Sequence, residues 1–302
     1  MAARTRRVVF GRINRRNPGQ ESLQMRDFAQ DMAALAESRM TVHIERNTGD
    51  RPAKRWVAAD MNLTPDGVFL TGLLGFSEQQ QQVTFDHESF SWMKGQVEDA
   101  DSASEQTIVP FAVDLRPGQR WVAFATTGRL QPSTFRGGFE RVLNEAVAAL
   151  GFIPTAWEFD LVTSKSRIFD WLRENPLVHQ MTRTLKFSNP GKDLDEDRRQ
   201  MRALAANRKT EEFKAARGQI LNINSEEFQG KLDGTETGDL DVVLHARGSH
   251  GVTDVKFNTR DSVDESRVED FGTNLENGID VVLRALIEYV QSKPREQQPE
   301  LT

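Results

Sequence analysis

A chain of 302 residues without a single cysteine has room for one large domain or two ordinary ones, and it excludes disulfides, thiolate nucleophiles and Cys-ligated zinc. With 37% hydrophobic and 28% charged residues it lies on the polar side of globular proteins, short of disorder. Its longest apolar run, Val68–Phe76, is well under the ~20 residues that a bilayer crossing needs, so no membrane span is expected.

The chain opens basic. Arg4, Arg6, Arg7, Arg12, Arg15 and Arg16 precede any acid, which leaves the rest at −12 against a net −6. An arginine-rich arm on an acidic body is the footprint of a polyanion partner, although a solvated terminus would look the same. No secretory-type apolar stretch follows the arginines, and a cytoplasmic location is the expectation. Within the arm, RVVFGRI over 7–13 reads as a buried strand. Ser22 can cap a helix over 23–38, in which Met25, Phe28, Met32 and Leu35 recur at helical spacing. Strand patterns follow over 41–45, 56–61 and 68–74, with Pro65-Asp66-Gly67 turning between the last two. The acidic stretch 95–106 predicts an exposed loop. Residues 108–115 and 121–126 form a hairpin pattern around Pro117-Gly118, and Ser133 starts a helix to about 150 with Phe135, Phe139, Val142, Leu143 and Ala146 as its stripe.

Beyond Gly151 the pattern predicts a strand over 156–162, a short helix over 166–174 and a strand over 179–187. A long helix over 195–216, a strand near 219–224, a hairpin over 238–258 and a helix over 275–292 complete the chain. The sum is an α+β fold of largely antiparallel sheets with packed helices. We divide it into a β-rich N-terminal half (1–151) and a C-terminal half (152–302), for which a ferredoxin-like unit is one option.

Familiar site motifs are missing. There is no Gly-rich phosphate loop, no dinucleotide turn and no His-Glu-x-x-His, and the acids of 193–197 lack the glycine of a calcium loop. Ser91-Trp92-Met93-Lys94 matches a nucleophile-base spacing with no supporting motif. The hairpin GDLDVVLHARGSHGVTDVKFN is more suggestive. Asp241 opens its first strand, and Asp254-x-Lys256 closes the second, the outline of a restriction-endonuclease-like site in which carboxylates hold Mg2+ beside a phosphate and a lysine serves the attacking water. A turn near Ser249 would set Asp241 opposite Phe257, with His245 and His250 nearby. An ordinary half-exposed hairpin shows the same alternation.

The predicted helix over 195–216 places Arg198, Arg202 and Lys209 near one stripe, flanked by Arg199 and Arg208, with Arg183 and Lys186 on the strand before. Such a stripe can track phosphates, and Glu196, Asp197, Glu211 and Glu212 can equally neutralise it. The run RTLKFSNPGKDLDEDRRQMRALAANRKTEEFKA, with the hairpin and terminal helix behind it, resembles uncharacterised α+β proteins of bacterial mobile elements and phage-defence loci. That resemblance implies an intracellular prokaryotic protein with a nucleic-acid-related or immune role, and it carries no site residues. The reading is a protein that binds DNA or RNA through Arg6, Arg7, Arg15, Arg16, Arg198, Arg202 and Lys209, as a subunit of a defence or mobile-element system. The alternatives are a Mg2+-dependent nuclease using Asp241, Asp254 and Lys256, and a scaffold that joins protein partners or self-associates.

Overall fold

In a computed structural model of the chain, the residues described are 4–15, 28–38, 41–44, 54–79, 83–86, 91–94, 104–149, 157–186, 195–232, 234–248 and 253–293. The elements begin with β1 (Thr5–Arg15), α1 (Phe28–Ser38), β2 (Thr41–Ile44), β3 (Lys54–Leu63) and β4 (Phe69–Gln79). Next come β5 (Val83–Asp86), β6 (Ser91–Lys94), β7 (Ser104–Asp114), β8 (Trp121–Ala125), α2 (Pro132–Ala149) and β9 (Trp157–Leu161). Then follow α3 (Lys165–Glu174), β10 (Val178–Lys186), α4 (Asp195–Ala203), β11 (Arg208–Lys214) and α5 (Glu226–Gly230). The chain continues through β12 (Leu240–Arg247), β13 (Asp254–Asn258), β14 (Glu265–Glu269) and α6 (Leu275–Ser292). The α+β class is the one the alternating patterns predict. Among the described residues, no helix is long and apolar enough to cross a membrane.

The first sheet is antiparallel, in the order β14-β1-β8-β7-β4-β3-β2. Every residue of β8 is buried, where a one-sided sheet would alternate. Helices on both faces are the reason. Phe135 and Phe139 of α2 pack on Phe111, Phe124 and Phe159. On the other face Tyr289 of α6 stacks on Phe10 and meets Trp121 edge-on. Two segments differ from expectation. β7 begins at Ser104 and pairs Glu105 with Glu78, so the predicted loop ends earlier, and its residues 95–103 lie outside those described. Helix α1 is described from Phe28, which leaves the predicted cap at Ser22 outside as well.

Strands β9 and β14 lie end to end along one side of β1, against Gly11–Arg15 and Thr5–Val9 respectively. They meet at Phe10, whose N–H donates to Asp264 O at 3.1 Å while Asp264 N–H donates to Val162 O at 2.8 Å. The chain therefore leaves the first sheet after β9 and returns beside its exit point. The intervening residues build a second sheet, β11-β10-β12-β13, with a separate apolar core that includes Ile168, Leu172, Met181, Met201, Phe228 and Leu244. The sheets thus do not follow a division at 151–152, because β9, β14 and α6 complete the first one. Strands β10 and β11, joined through α4, are direct antiparallel neighbours, where a split β-α-β unit would hold them parallel with another strand between, so the ferredoxin-like option does not form.

The helix predicted over 195–216 is also corrected. It stops at Ala203. Ala205 takes a left-handed φ of 49° and Ala206 N–H donates to Met201 O at 2.8 Å, the hydrogen bond of a left-handed C-cap. Residues 208–214 then form β11, paired with β10 from Lys186↔Arg208 to Gln180↔Lys214. The strand expected near 219–224 is a turn region tied to β10 by Leu221 N–H to Val178 O at 2.7 Å.

Candidate functional site

The arginine arm is a strand inside the first sheet. Arg6 pairs with Asp270 at 3.3 Å and lies 4.3 Å over the Phe271 ring, and Arg7 pairs with Glu265. Arg12 is buried and donates to Gly118 O at 2.5 Å and Gln119 O at 3.0 Å. Arg15 ends β1 opposite Trp157; its side chain and the whole of Arg16 lie outside the described residues. The acids that answer Arg6 and Arg7 come from in and beside β14, more than 250 positions along the numbering, so spacing gave no sign of them.

The basic stripe resolves into a packed ion network. Lys209 is on β11, not on the helix, and bonds Asp197 at 2.7 Å and Glu211 at 2.9 Å. Arg183, 2% exposed, meets the same two acids at 2.5 and 3.2 Å. Burial pushes the Asp197 carboxyl up, but the hydrogen bonds and charges of Lys209 and Arg183 outweigh it and hold it below the usual carboxylate range. The hydrogen bonds that Lys209 donates to Asp197 and Glu211 favour its charged form and raise it above the usual lysine value. Two bases and two acids thus fasten α4 to β10 and β11. Arg198 and Arg202 share α4, and their side chains lie outside the described residues.

The hairpin does not gather Asp241, Asp254 and Lys256. Its register pairs Arg247 with Asp254, His245 with Lys256 and Val243 with Asn258, which puts Asp241 level with Arg260. Asp241 and Asp254 are then separated by six positions along the ladder, on the order of 20 Å, too far to share one ion. Among the described residues, no group of three His, Asp or Glu is arranged to hold a metal ion. Asp241 instead joins a junction between the sheets. Lys186 Nζ donates to Asp160 Oδ1 at 2.7 Å and to Asp241 Oδ1 at 3.0 Å, Asn14 donates to Asp160 Oδ2 at 2.9 Å, and Arg260 donates to Asp241 Oδ2 at 2.7 Å. Asp160, Lys186 and Asp241 are all buried. Burial raises the Asp241 carboxyl, and the Lys186 and Arg260 charges overcome this to leave it low.

What the second sheet does present is one open face. Residues opposite one another in an antiparallel ladder share a face. Met181, Leu185, Leu240, Val242, Leu244 and Phe257 face the helices and are buried. The other face carries Gln180, Thr182 and Thr184 of β10, Thr210, Glu212 and Lys214 of β11, Val243, His245 and Arg247 of β12, and Asp254, Lys256 and Asn258 of β13, all half-buried or exposed. At the end away from the junction, Lys214, Arg247 and Lys256 are exposed beside His179 and His245, Arg217 is exposed in the turn after β11, and Glu212 and Asp254 are the acids there among the described residues. Lys214 bridges to Glu212 at 3.1 Å and Gln180 donates to Glu212 at 2.6 Å. The sequence signal for this face is the polar alternation of Gln180, Thr182 and Thr184 in β10, and the helix-like charge spacing of β11 masks it. No protein-family model matches the chain, and no curated protein or solved structure does either, so the chemistry of this face rests on its geometry.

Proposed function

We propose that the protein binds nucleic acid, and that it does so through the open face of the second sheet rather than through its N-terminal arginines. The observation that supports this is the clustering of Lys214, Arg217, Arg247 and Lys256 at one end of a solvent-open, threonine-lined sheet. Lysine and arginine heads on an open face reach phosphates directly, and hydroxyl and amide groups of Thr182, Thr184, Thr210 and Asn258 supply further hydrogen bonds to a sugar-phosphate backbone. Arg6, Arg7 and Lys209 contribute less, since each would have to exchange a carboxylate partner for a phosphate.

The test is the affinity for a labelled oligonucleotide, single-stranded and duplex, across a range of salt concentrations. Combining Arg247→Ala with Lys256→Ala removes two phosphate contacts. The slope of log affinity against log salt then becomes shallower by about 1.8 for a duplex, or about 1.4 for a single strand. Wild-type protein that shows no salt-sensitive binding at micromolar concentration, or a double variant with an unchanged slope, defeats the proposal.

A further inference from the structure

The same face carries a histidine pair whose arrangement suggests regulation. The register between β10 and β12 shifts between Val178 and Gln180, a bulge at His179. This sets His179 beside His245, with ring centroids 6.3 Å apart, although the residues sit on adjacent strands. Both reach one carboxylate on the third strand. His179 Nε2 lies 3.0 Å from Asp254 Oδ1, and His245 Nδ1 lies 3.2 Å from Asp254 Oδ2. An ionised carboxylate only accepts, so each of these nitrogens is the N–H of its ring, and His179 Nδ1 and His245 Nε2 remain as the sites for a further proton.

The charged groups facing the pair are all nearby. Asp254 and Lys256 come from β13, Arg247 from β12 opposite Asp254, and Glu212 and Lys214 from β11 beside Gln180. Arg217 follows in the turn that begins where Ala215 N–H donates to His179 O at 2.9 Å. With neutral imidazoles this end of the face carries two more positive than negative charges, counting those side chains. Histidine is the side chain that changes charge between pH 5 and 8. The hydrogen bonds from His179 and His245 hold Asp254 below the usual carboxylate range, which keeps it an anion in mild acid. Each proton is therefore a full added charge on the surface that would meet phosphates.

We propose that His179, His245 and Asp254 make the open face an acid-strengthened nucleic-acid site, one that binds a phosphate backbone more tightly as pH falls from 7.5 to 5.5. This rests on the function proposed above. The experiment measures fluorescence anisotropy of a labelled 20-residue oligonucleotide, single-stranded and duplex, at pH 5.5, 6.5 and 7.5 and constant ionic strength. The variant combines His179→Gln with His245→Asn, whose amides stand where the bonded ring nitrogens stood and do not titrate. Wild type gains about tenfold or more in affinity at pH 5.5, as expected for two added charges against a polyanion, while the double variant changes less than about twofold. Asp254→Asn gives a second, independent readout: it removes the negative charge the imidazoles flank and tightens binding at pH 7.5, where a purely structural carboxylate would weaken it. A wild-type affinity that is flat with pH, or a double variant that retains the wild-type dependence, overturns the switch and leaves the binding face intact. Absence of binding at every pH overturns the proposed function itself, and the switch with it.

Discussion

Lys186→Met destabilises the protein by about 3–5 kcal/mol, the range for removing one partner from a buried ion pair. The side chain lies among Asp160 and Asp241, both at or below 8% exposed, and the methionine fills its space without its charge. Asn14 and Arg260 remain, but one is neutral and the other is half in water. The pH dependence identifies the cause. In the wild type, Asp241 sits below its ordinary range, so its contribution is present at neutral pH and is lost as pH falls through that lowered value. In the variant Asp241 loses the Lys186 charge that helps hold it low and takes up a proton more readily, which relieves the penalty. Urea midpoints compared at pH 7.5 and pH 4.5 should therefore show the gap between variant and wild type narrowing in acid. A gap that is constant with pH would assign the loss to packing. Arg260→Ala is the matching control: its guanidinium is half exposed, and its loss costs about 1 kcal/mol or less.

That junction also explains which parts of the molecule the chain announced and which it did not. Helices α2 and α6 were readable because each has one apolar stripe against a sheet; α6 spans 275–292 as predicted. β11 was not, because its inward positions are Lys209, Glu211 and Phe213, and a period of two written mostly in charges looks like a salt-laced helix. β14, with the sequence ESRVE, hid for the same reason. The insertion of the second sheet between β9 and β14 has no local signature: it depends on both strands choosing the same side of β1. For the candidate site, the separate residues were visible but their grouping was not. Asp241 and Asp254 looked like neighbours from a guessed turn, and a register shifted by three positions sent one to Lys186 and the other to two histidines. His179 reaches its place through a bulge, which no spacing rule anticipates.

Adjacent glycines in α2 should respond to the same substitution with opposite signs. Gly137 and Gly138 both sit in a helix interior, where alanine is favoured by about 1 kcal/mol. A methyl at Gly137 meets open space, so Gly137→Ala gains that amount. A methyl at Gly138 lands on the six-membered ring of Trp56, well inside van der Waals contact. Trp56 is 3% exposed and backed by Phe76 at a centroid distance of 4.9 Å, so the ring has nowhere to retreat and α2 must lift from β3. Overpacking of this kind costs about 1–3 kcal/mol, and the whole ring is rigid, so the upper part of that range applies and exceeds the propensity gain. Gly138→Ala should lower the thermal midpoint by about 2–3 °C, and Gly138→Val by more. Trp56→Leu supplies the decisive comparison. It destabilises on its own by opening a cavity, but in its background Gly138→Ala has no ring to strike and keeps its helical advantage, so the substitution turns from destabilising to neutral or stabilising. Circular dichroism melts of the four proteins measure that coupling, and equal effects of Gly138→Ala in the two backgrounds would mean that α2 and β3 do not press together at this glycine.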